Sequence, residues 1–449
     1  MEEIGTAHPP EHGPGSVPTG GFFTMMTSRQ RLRATLDHRQ PDRVCVDLGA
    51  TFVSGAHASA VSGLRRALLD DPGYRVRIIH PLQLSGEIDE LLLRELPTDV
   101  VGVFPSMTAF GFKNQGWKPW QLLDGTDVEV PEAFTPTVDT SGDLLLHPGG
   151  DPSAPASARM PHGGHYFDPI IRQEPIDEDH LDPSDNTEEY GRLGDSDLAD
   201  FALRARLAAT QTEYGVFGTI PGVWGYGDAM VVPAVGLRRP RGIRDPEEWY
   251  ISLVARKDYI HAVFRYQTEL AIENIGRLAS VLGNSVQVVR ICGADFGGQH
   301  GPLIARRTYM EMFSPYYRAI NAAIHASTTW KTFKHCDGSI HELIPEFIAD
   351  GFDILNPVQT SAAHMDARTL KKEFGADLVF WGGGVETQST LPFGTPDEVY
   401  REVRERIDIF NDGGGFVFAA IHNIQPNTPV LNLLAMIRAL RDSREASGW

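Results

Sequence analysis

The chain has 449 residues and a formal net charge of −19, and its length suits either about three domains or one large α/β barrel with insertions. Hydrophobic residues make up 41% of it and charged residues 22%, which excludes a wholly disordered chain. The acidic balance argues against a surface for nucleic acid or an anionic membrane, because both need basic patches. Three scattered cysteines and the lack of a long apolar run predict a cytoplasmic protein without a disulfide framework or a membrane span.

The first half of the chain contains a tail, a few regular elements and a region of different texture. Residues 1–23 are rich in Gly, Pro, Glu and His, which predicts a disordered tail rather than a signal peptide. The folded part is predicted to span residues 24–449, with a helix near Thr27, a strand at 44–46 and helices near 60–69 and 87–96. Residues from about 110 to 210 are crowded with Gly, Pro, Asp and Trp. Short alternating stretches at 127–130 and 144–146 predict hairpins there, and we interpret the region as an insertion that forms a lid or rim.

The second half alternates short apolar strands with helices. Helix starts are predicted at Ser339 and Thr395, each followed three residues later by a glutamate, and helix ends at Gly351 and Gly375. Alternation of this kind indicates βα units and a parallel sheet. The predicted strands span residues 215–218, 285–291, 329–333, 353–355, 378–381 and 416–419.

The position of polar residues decides between the two kinds of parallel sheet. A dinucleotide-binding fold would require a GxGxxG motif after an early strand, and the sequence has none. In a (β/α)8 TIM barrel, by contrast, the carboxyl ends of all strands meet around one mouth, where active sites lie. We therefore predict this barrel, because polar or glycine residues lie just past the strand ends at Asp47, Asp295, His335, Asp337, Asn356, residues 382–384 and His422.

The candidate metal ligands are His335, Asp337 and His422. Two imidazoles and one carboxylate can form a three-ligand site with open positions, which suits Zn²⁺ or, less well, Fe²⁺. The alternative is that both histidines are neutral groups that hydrogen-bond the substrate directly. Cys336 is either a rival ligand to Asp337 or a small buried side chain.

Two further carboxylates are candidate catalytic residues. Asp295 ends its strand in the glycine-rich loop GADFGGQHGP and is predicted either to orient the substrate, to support the metal from behind, or to cap a turn. Asp47 carries the same ambiguity. His300, in the same loop as Asp295, is expected to be exposed.

Candidate substrate-binding residues lie in three other loops. Trp224 and Tyr226 follow the strand at 215–218 and are predicted to line a pocket, because aromatic rings offer a large contact area. Asn356 and Gln359 follow the strand at 353–355. Gly383 lies in a glycine turn where the backbone can approach a ligand closely.

Four segments resemble the uroporphyrinogen decarboxylase superfamily, which includes the haem-pathway decarboxylase and corrinoid- and coenzyme-M-linked methyltransferases. They are residues 293–304 (GADFGGQHGPLI), 333–359 (FKHCDGSIHELIPEFIADGFDILNPVQ), 380–388 (FWGGGVETQ) and 413–436 (GGGFVFAAIHNIQPNTPVLNLLAM). The resemblance covers the chain from about Thr27 onward. It implies a (β/α)8 barrel, in agreement with the argument from the strand ends.

The resemblance leaves the activity open. The haem enzyme binds substrate carboxylates through the arginines of an RQAGR motif, whereas the corresponding residues 44–55 here read VCVDLGATFVSG, which argues against uroporphyrinogen. His422 falls where that enzyme carries a histidine. The methyltransferases bind zinc through His-x-Cys and a distant Cys, and His335, Asp337 and His422 occupy these positions here. Without thiolates the zinc would be more Lewis-acidic, which suits an oxygen substrate better than a thiol.

Three hypotheses follow. The first is metal-assisted methyl transfer or demethylation of a small molecule, with Asp295 as a catalytic residue and a separate corrinoid protein as a candidate partner. The second is a metal-free decarboxylase of a small carboxylated substrate, in which Asp295 or Asp47 hydrogen-bonds the substrate and His422 protonates the carbanion. The third is a ligand-binding protein. A homodimer is a candidate assembly, but the sequence leaves the oligomeric state open.

Overall fold

The computed structural model describes residues 25–221 and 227–445, so the predicted disordered tail at residues 1–23 lies outside the described residues. The strands are, in chain order, Cys45–Val46 (β1), Val76–His80 (β2), Ser85–Gly86 (β3), Val100–Val103 (β4), Lys118–Gln121 (β5), Asp127–Val130 (β6), Thr137–Val138 (β7), Leu144–Leu146 (β8), Ala158–Met160 (β9), Asp168–Pro169 (β10), Gly215–Gly218 (β11), Val288–Cys292 (β12), Lys331–His335 (β13), Ile354–Asn356 (β14), Val379–Trp381 (β15) and Phe416–Phe418 (β16).

The helices surround the strands of the main sheet. They are, in chain order, Ser28–Leu36 (α1), Ala58–Leu69 (α2), Glu90–Glu95 (α3), Asp195–Gln211 (α4), Pro246–Ala255 (α5), Lys257–Leu282 (α6), Arg306–Met312 (α7), Ser314–Ser327 (α8), Ile344–Ala349 (α9), Ala367–Phe374 (α10), Thr390–Phe393 (α11), Pro396–Phe410 (α12) and Val430–Glu445 (α13). No helix in the described ranges is long and apolar enough to cross a membrane.

Eight parallel strands form a nearly closed barrel, which confirms the predicted (β/α)8 fold. Their order around the barrel is β1-β16-β15-β14-β13-β12-β11-β4. The two end strands meet where the backbone N–H of Asp99 donates to the carbonyl of Val46 at 2.7 Å. Because all eight strands run in the same direction, their carboxyl ends face one mouth.

Inward-pointing side chains fill the barrel. Rings of Phe217, Phe333 and Trp381 pack edge to face, with centroids 4.9–5.7 Å apart. Such contacts make the barrel a packed core rather than a pore. The aliphatic residues of the same interior cluster include Val100, Val288, Ile354, Val379 and Val417.

An ion-paired cluster closes the amino-terminal end of the barrel. The carboxylate of Asp99 is fully buried and accepts hydrogen bonds from Arg31 at 2.6 Å and from both terminal nitrogens of Arg43 at 2.6 and 2.7 Å. The hydroxyl of Ser28 and the backbone N–H of Val46 also donate to it, at 2.7 and 3.0 Å. The cluster therefore ties α1 and the strand seam together, with every charge opposed by another.

The predicted insertion contains small β-sheets. Strands β7 to β10 form an antiparallel sheet, and β5 and β6 form a hairpin that joins β2 and β3. The hairpin turns contain Gly125 and Gly142, both with φ near +84°, a conformation that favours glycine. Strands β6 and β8 coincide with the predicted stretches at 127–130 and 144–146.

Most helix limits follow the predicted signals. The capping box of Thr395 and Glu398 is present at α12, and Gly351 and Gly375 follow α9 and α10 directly or within two residues. The predicted start at Ser339 is wrong, because its hydroxyl donates to the carbonyl of Ala363 at 2.6 Å instead of capping a helix. The chain forms a short 3-10 turn there before α9 begins. The 26-residue helix α6 has no counterpart among the predicted elements.

Candidate metal centre at the barrel mouth

The structure brings the three predicted ligands together at the mouth. His335 is the last residue of β13, Asp337 follows it in the same turn, and His422 lies in the loop after β16. The Nε2 atoms of His335 and His422 lie 3.3 and 3.8 Å from Oδ2 of Asp337. One ligand atom from each residue lies within 4.8 Å of the others. Positions far apart in sequence therefore face one another within reach of a single ion.

Hydrogen bonds fix the orientation and the tautomer of both imidazoles. Nδ1 of His335 donates to Oδ1 of Asn356 at 2.7 Å, and this amide is oriented because its nitrogen donates to the carbonyl of Trp381 at 2.8 Å. Nδ1 of His422 likewise pairs with Oδ1 of Asn423. Because an amide oxygen only accepts, both Nδ1 atoms carry the proton and both Nε2 atoms keep a lone pair. This is the tautomer that a metal-binding histidine needs.

Electrostatics at this centre favour a cation. Burial lowers the pKa of His335, but the neighbouring carboxylate of Asp337 outweighs it, so that the pKa is raised overall. Burial acts to raise the pKa of Asp337, but His335, His422 and Arg290 outweigh it. The pKa is therefore lowered overall and the carboxylate stays charged. The negative charge that attracts a proton to His335 also attracts a divalent ion to the same place.

Asp295 lies beside the centre, as predicted for a catalytic or supporting residue. Its Oδ1 atom accepts the backbone N–H of Asp337 at 2.9 Å and lies 3.9 Å from Nε2 of His335. Its side chain is 32% exposed, so it faces the mouth. Among the described residues, none donates a hydrogen bond to its Oδ2 atom, which leaves that atom for a ligand or a proton.

Two predicted site residues lie behind the mouth instead of lining it. Asp47 is fully buried, and its oxygens accept hydrogen bonds from the N–H of Ala50 at 2.7 Å and from the indole of Trp381 at 2.8 Å; burial raises its pKa. These contacts do not support a catalytic role for Asp47. His335 and Trp381 occupy both ends of the Asn356 amide, so Asn356 orients His335, and its binding of substrate stays a prediction.

Gln359 and Gly383 also make contacts within the scaffold, and their binding of substrate stays a prediction. The amide oxygen of Gln359 accepts the N–H of Gly338 at 2.8 Å, and its nitrogen donates to Gln299 at 3.2 Å. A Cβ at Gly383 would lie 2.9 Å from both the side chain and the carbonyl of Val358. This glycine is therefore needed for close packing between loops.

The remaining predicted residues fall in different places. Trp224 and Tyr226 lie outside the described residues, so their predicted role as pocket walls stays a prediction. His300 is exposed, as expected. Cys336 is buried and its sulfur accepts the N–H of Phe296 at 3.1 Å, which agrees with the alternative of a small buried side chain.

A chain of hydrogen bonds that the sequence did not reveal links the insertion to His422. The hydroxyl of Tyr166 donates to Oε1 of Gln425 at 2.7 Å, and Nε2 of Gln425 donates to Oδ1 of Asn423 at 3.0 Å. The same Asn423 oxygen accepts Nδ1 of His422. The insertion thus holds the residue that orients one of the candidate ligands.

Sequence reasoning also missed Arg290, a buried cation near the centre. It is 7% exposed and influences the pKa values of His335, Asp337 and Asp228. Burial and the repulsion of Asp295 raise the pKa of Asp228 to about 6, although Arg290 opposes this. In the sequence, Arg290 could have been found as a charged residue inside the largely apolar run SVQVVRI.

Comparison with known proteins finds a family likeness over the part of the chain that holds this site. Residues 234–443 match the family model for uroporphyrinogen decarboxylase (URO-D), and these residues include all three candidate ligands. The match covers slightly less than half of the chain, so it is a likeness to that family over the carboxyl-terminal part of the chain. Among curated proteins, none matches its sequence.

A solved structure has the same fold over nearly the whole chain. A methyltransferase from Methanosarcina mazei superposes with a TM-score of 0.52 at 13% identity, covering 93% of this chain and 99% of that one. At this identity the likeness concerns the fold, and activity has to be argued from the site. The match to that family model over residues 234–443 nonetheless indicates an enzyme.

Proposed function

We propose that this protein is a metal-dependent enzyme that transfers or removes a methyl group on an oxygen-containing small molecule. The observation that carries the proposal is the matched arrangement of His335 and His422. Each imidazole has Nδ1 bound to an asparagine oxygen and Nε2 within 4 Å of the Asp337 carboxylate. The match to the uroporphyrinogen decarboxylase model supports an enzyme at this site, and the name of the structural neighbour favours methyl transfer as the reaction class.

The donor set fits a divalent ion of the zinc type. Two neutral imidazoles and one carboxylate, supported from behind by hydrogen bonds, are the ligands of many catalytic zinc sites and leave a position for substrate. His335, Asp337 and His422 would hold the ion. When bound, it supplies Lewis acidity at an oxygen atom of the substrate.

The residues of the chain itself then have separate tasks. Asn356 and Asn423 hold the two imidazoles in the required tautomer and orientation. Asp295 gives or takes a proton through its unpaired Oδ2 atom at the substrate oxygen. The insertion, through Tyr166, keeps Asn423 in place. A corrinoid protein as the methyl acceptor remains part of the proposal.

The metal content of purified protein tests this proposal. After loading with zinc and dialysis, we expect about one ion per chain, bound by three protein ligands. D337N and H422N should lose it, and cobalt in place of zinc should give a visible ligand-field spectrum that both variants abolish. The matched control is H341N, since His341 lies after the same strand but pairs with Glu373 at the surface. Wild-type protein without bound metal, or variants that retain it, would overturn the proposal.

The reaction class needs a second measurement. Small methoxylated compounds should transfer their methyl group to a reduced corrinoid carrier protein and leave the free hydroxyl compound only with metal present, as followed by mass spectrometry. Release of labelled CO₂ from carboxylated compounds, unaffected by chelators, would instead establish the decarboxylase.

A further inference from the structure

Arg290 occupies an unusual position for a charged side chain. It lies on β12, two residues after Val288, whose side chain belongs to the barrel interior. Because alternate residues of a strand point to the same face, Arg290 points inward as well, one layer nearer the mouth. Its guanidinium group therefore lies inside the barrel, below the candidate metal centre at the mouth.

This guanidinium group lacks the partner that comparable arginines have. In the described part of the chain, four other arginines are buried to a similar degree, and each has a carboxylate within 4 Å: Arg31, Arg43, Arg65 and Arg244. Arg290 has no such carboxylate and no hydrogen-bond acceptor among the described residues, and its Nε atom is buried without a partner. A buried charge without a partner is unfavourable unless something else provides one.

The backbone beside Arg290 packs closely against its guanidinium. At Gly293 a Cβ would lie 2.3 Å from Nη2 of Arg290 and 2.9 Å from Oδ2 of Asp228, so only glycine fits there without displacing the guanidinium. The nearest carboxylates that act on its pKa are Asp228, Asp295 and Asp337, and none comes within 4 Å.

We propose that Arg290 binds a carboxylate group of the substrate, next to the metal centre. The guanidinium fork matches two carboxylate oxygens in a bidentate pair. A monoanion suits the site better than a phosphate dianion, because Asp228, Asp295 and Asp337 repel a second negative charge. That this ligand is the substrate rests on the proposed function, whereas the anion site itself does not.

Aromatic rings near Arg290 guide the choice of probe. His80, whose pKa burial and Arg290 lower to about 3, lies with its ring 4.1 Å from that of Phe52, and Phe52 stacks on Phe104 at 4.5 Å. An aromatic monocarboxylate is therefore a simple monoanionic probe for this end of the barrel. We choose 4-fluorobenzoate, with 4-fluorobenzamide as its neutral counterpart.

Fluorine NMR titration of the full chain tests the site. We expect 4-fluorobenzoate to bind and 4-fluorobenzamide to bind roughly tenfold or more weakly, because the charge-assisted pair is lost. R290Q should weaken 4-fluorobenzoate binding by about the same factor, and R290K by less. The control R306Q removes an exposed arginine paired with Glu346 and should bind as the wild type does.

Other outcomes would overturn the proposal, and two variants separate the anion site from the metal centre. No binding to the wild type, equal binding to R290Q, or competition by inorganic phosphate at lower concentration than acetate would overturn the carboxylate site. Metal-free H422N should still bind 4-fluorobenzoate within about threefold of the wild type, and R290Q should still bind zinc. Loss of carboxylate binding in H422N with retention in R290Q would place the anion at the metal ligands and overturn the proposal.

Discussion

Buried arginines at the two ends of the barrel differ in whether they have a carboxylate partner. At the amino-terminal end, Arg31 and Arg43 share the buried carboxylate of Asp99. At the mouth, Arg290 is almost as deeply buried but has no carboxylate within 4 Å among the described residues. At the amino-terminal end the protein itself neutralises the two arginines. At the mouth the positive charge of Arg290 is left for a ligand to neutralise. In a barrel, stability at the amino-terminal end and chemistry at the mouth are the expected division.

The largest expected effect comes from breaking the completed end. D99N removes the charge that Arg31 and Arg43 share, and we expect a loss of about 3–5 kcal/mol in the free energy of unfolding, because two buried cations lose their partner. Urea denaturation measures it. The control D37N removes an exposed pair with Arg39 and should change little; an equally small effect of D99N would contradict this interpretation of the cluster.

At the mouth, the next largest effect concerns metal affinity. N356A removes the acceptor for Nδ1 of His335, and the zinc affinity should fall roughly 10–100-fold, as for other residues that orient a metal ligand. Competition with a fluorescent chelator measures it. N186A, which alters a buried asparagine bonded to Ile243 and to none of the three ligands, is the control for general destabilisation. If both variants bind zinc as the wild type does, Asn356 does not position the site.

The link from the insertion should matter less. Y166F removes one hydrogen bond to Gln425, and the expected loss is about 0.5–1.5 kcal/mol, divided between stability and zinc affinity. Y400F, which removes a surface bond to Asp442, should leave zinc affinity unchanged. A Y166F variant whose zinc affinity also stays unchanged would separate the insertion from the metal centre.

Replacing Arg290 by a neutral residue should not lower the free energy of unfolding, in contrast to D99N. In R290M no buried partner is left behind, so the free energy of unfolding should stay the same or rise by up to about 1 kcal/mol. Chemical denaturation without added ligand measures this. A loss as large as that of D99N would show that Arg290 has a structural partner and would remove the contrast between the two ends.

The smallest effect is the pH dependence of Asp42, which also pairs with Arg31. Burial acts to raise its pKa, but the hydrogen bond and charge of Arg31 lower it overall. A carboxylate with a lowered folded-state pKa stabilises the protein above its ordinary pKa, and this contribution is lost as the pH falls through the lowered value. Between about pH 6 and pH 3, D42N should therefore lose less stability than the wild type. Equal losses would contradict the assignment.

The barrel and the three candidate ligands could be predicted because strand ends and polar residues coincide in the sequence. His335, Asp337 and His422 each follow an apolar run, and topology alone brings such positions together. The orientation of side chains could not be predicted in this way. Asp47 and Asn356 also follow strands, yet their side chains turn toward Trp381 and the back of the site.

Other features depended on contacts between distant segments. Nothing local marks Tyr166 as a partner of Gln425, because the insertion folds back over more than two hundred residues. Arg290 was visible as a charge in an apolar strand, but only the structure shows that it lacks a partner. A buried charge in a strand near the barrel mouth is the signal to seek in related sequences.

The most direct test of the whole account is a crystal structure of the protein grown with zinc and 4-fluorobenzoate, with anomalous data at the zinc edge. The account predicts one zinc peak bound by Nε2 of His335, Nε2 of His422 and a carboxylate oxygen of Asp337, with the benzoate carboxylate on the guanidinium of Arg290. A zinc ion at other residues, or Arg290 paired with Asp228 and no benzoate beside it, would contradict it.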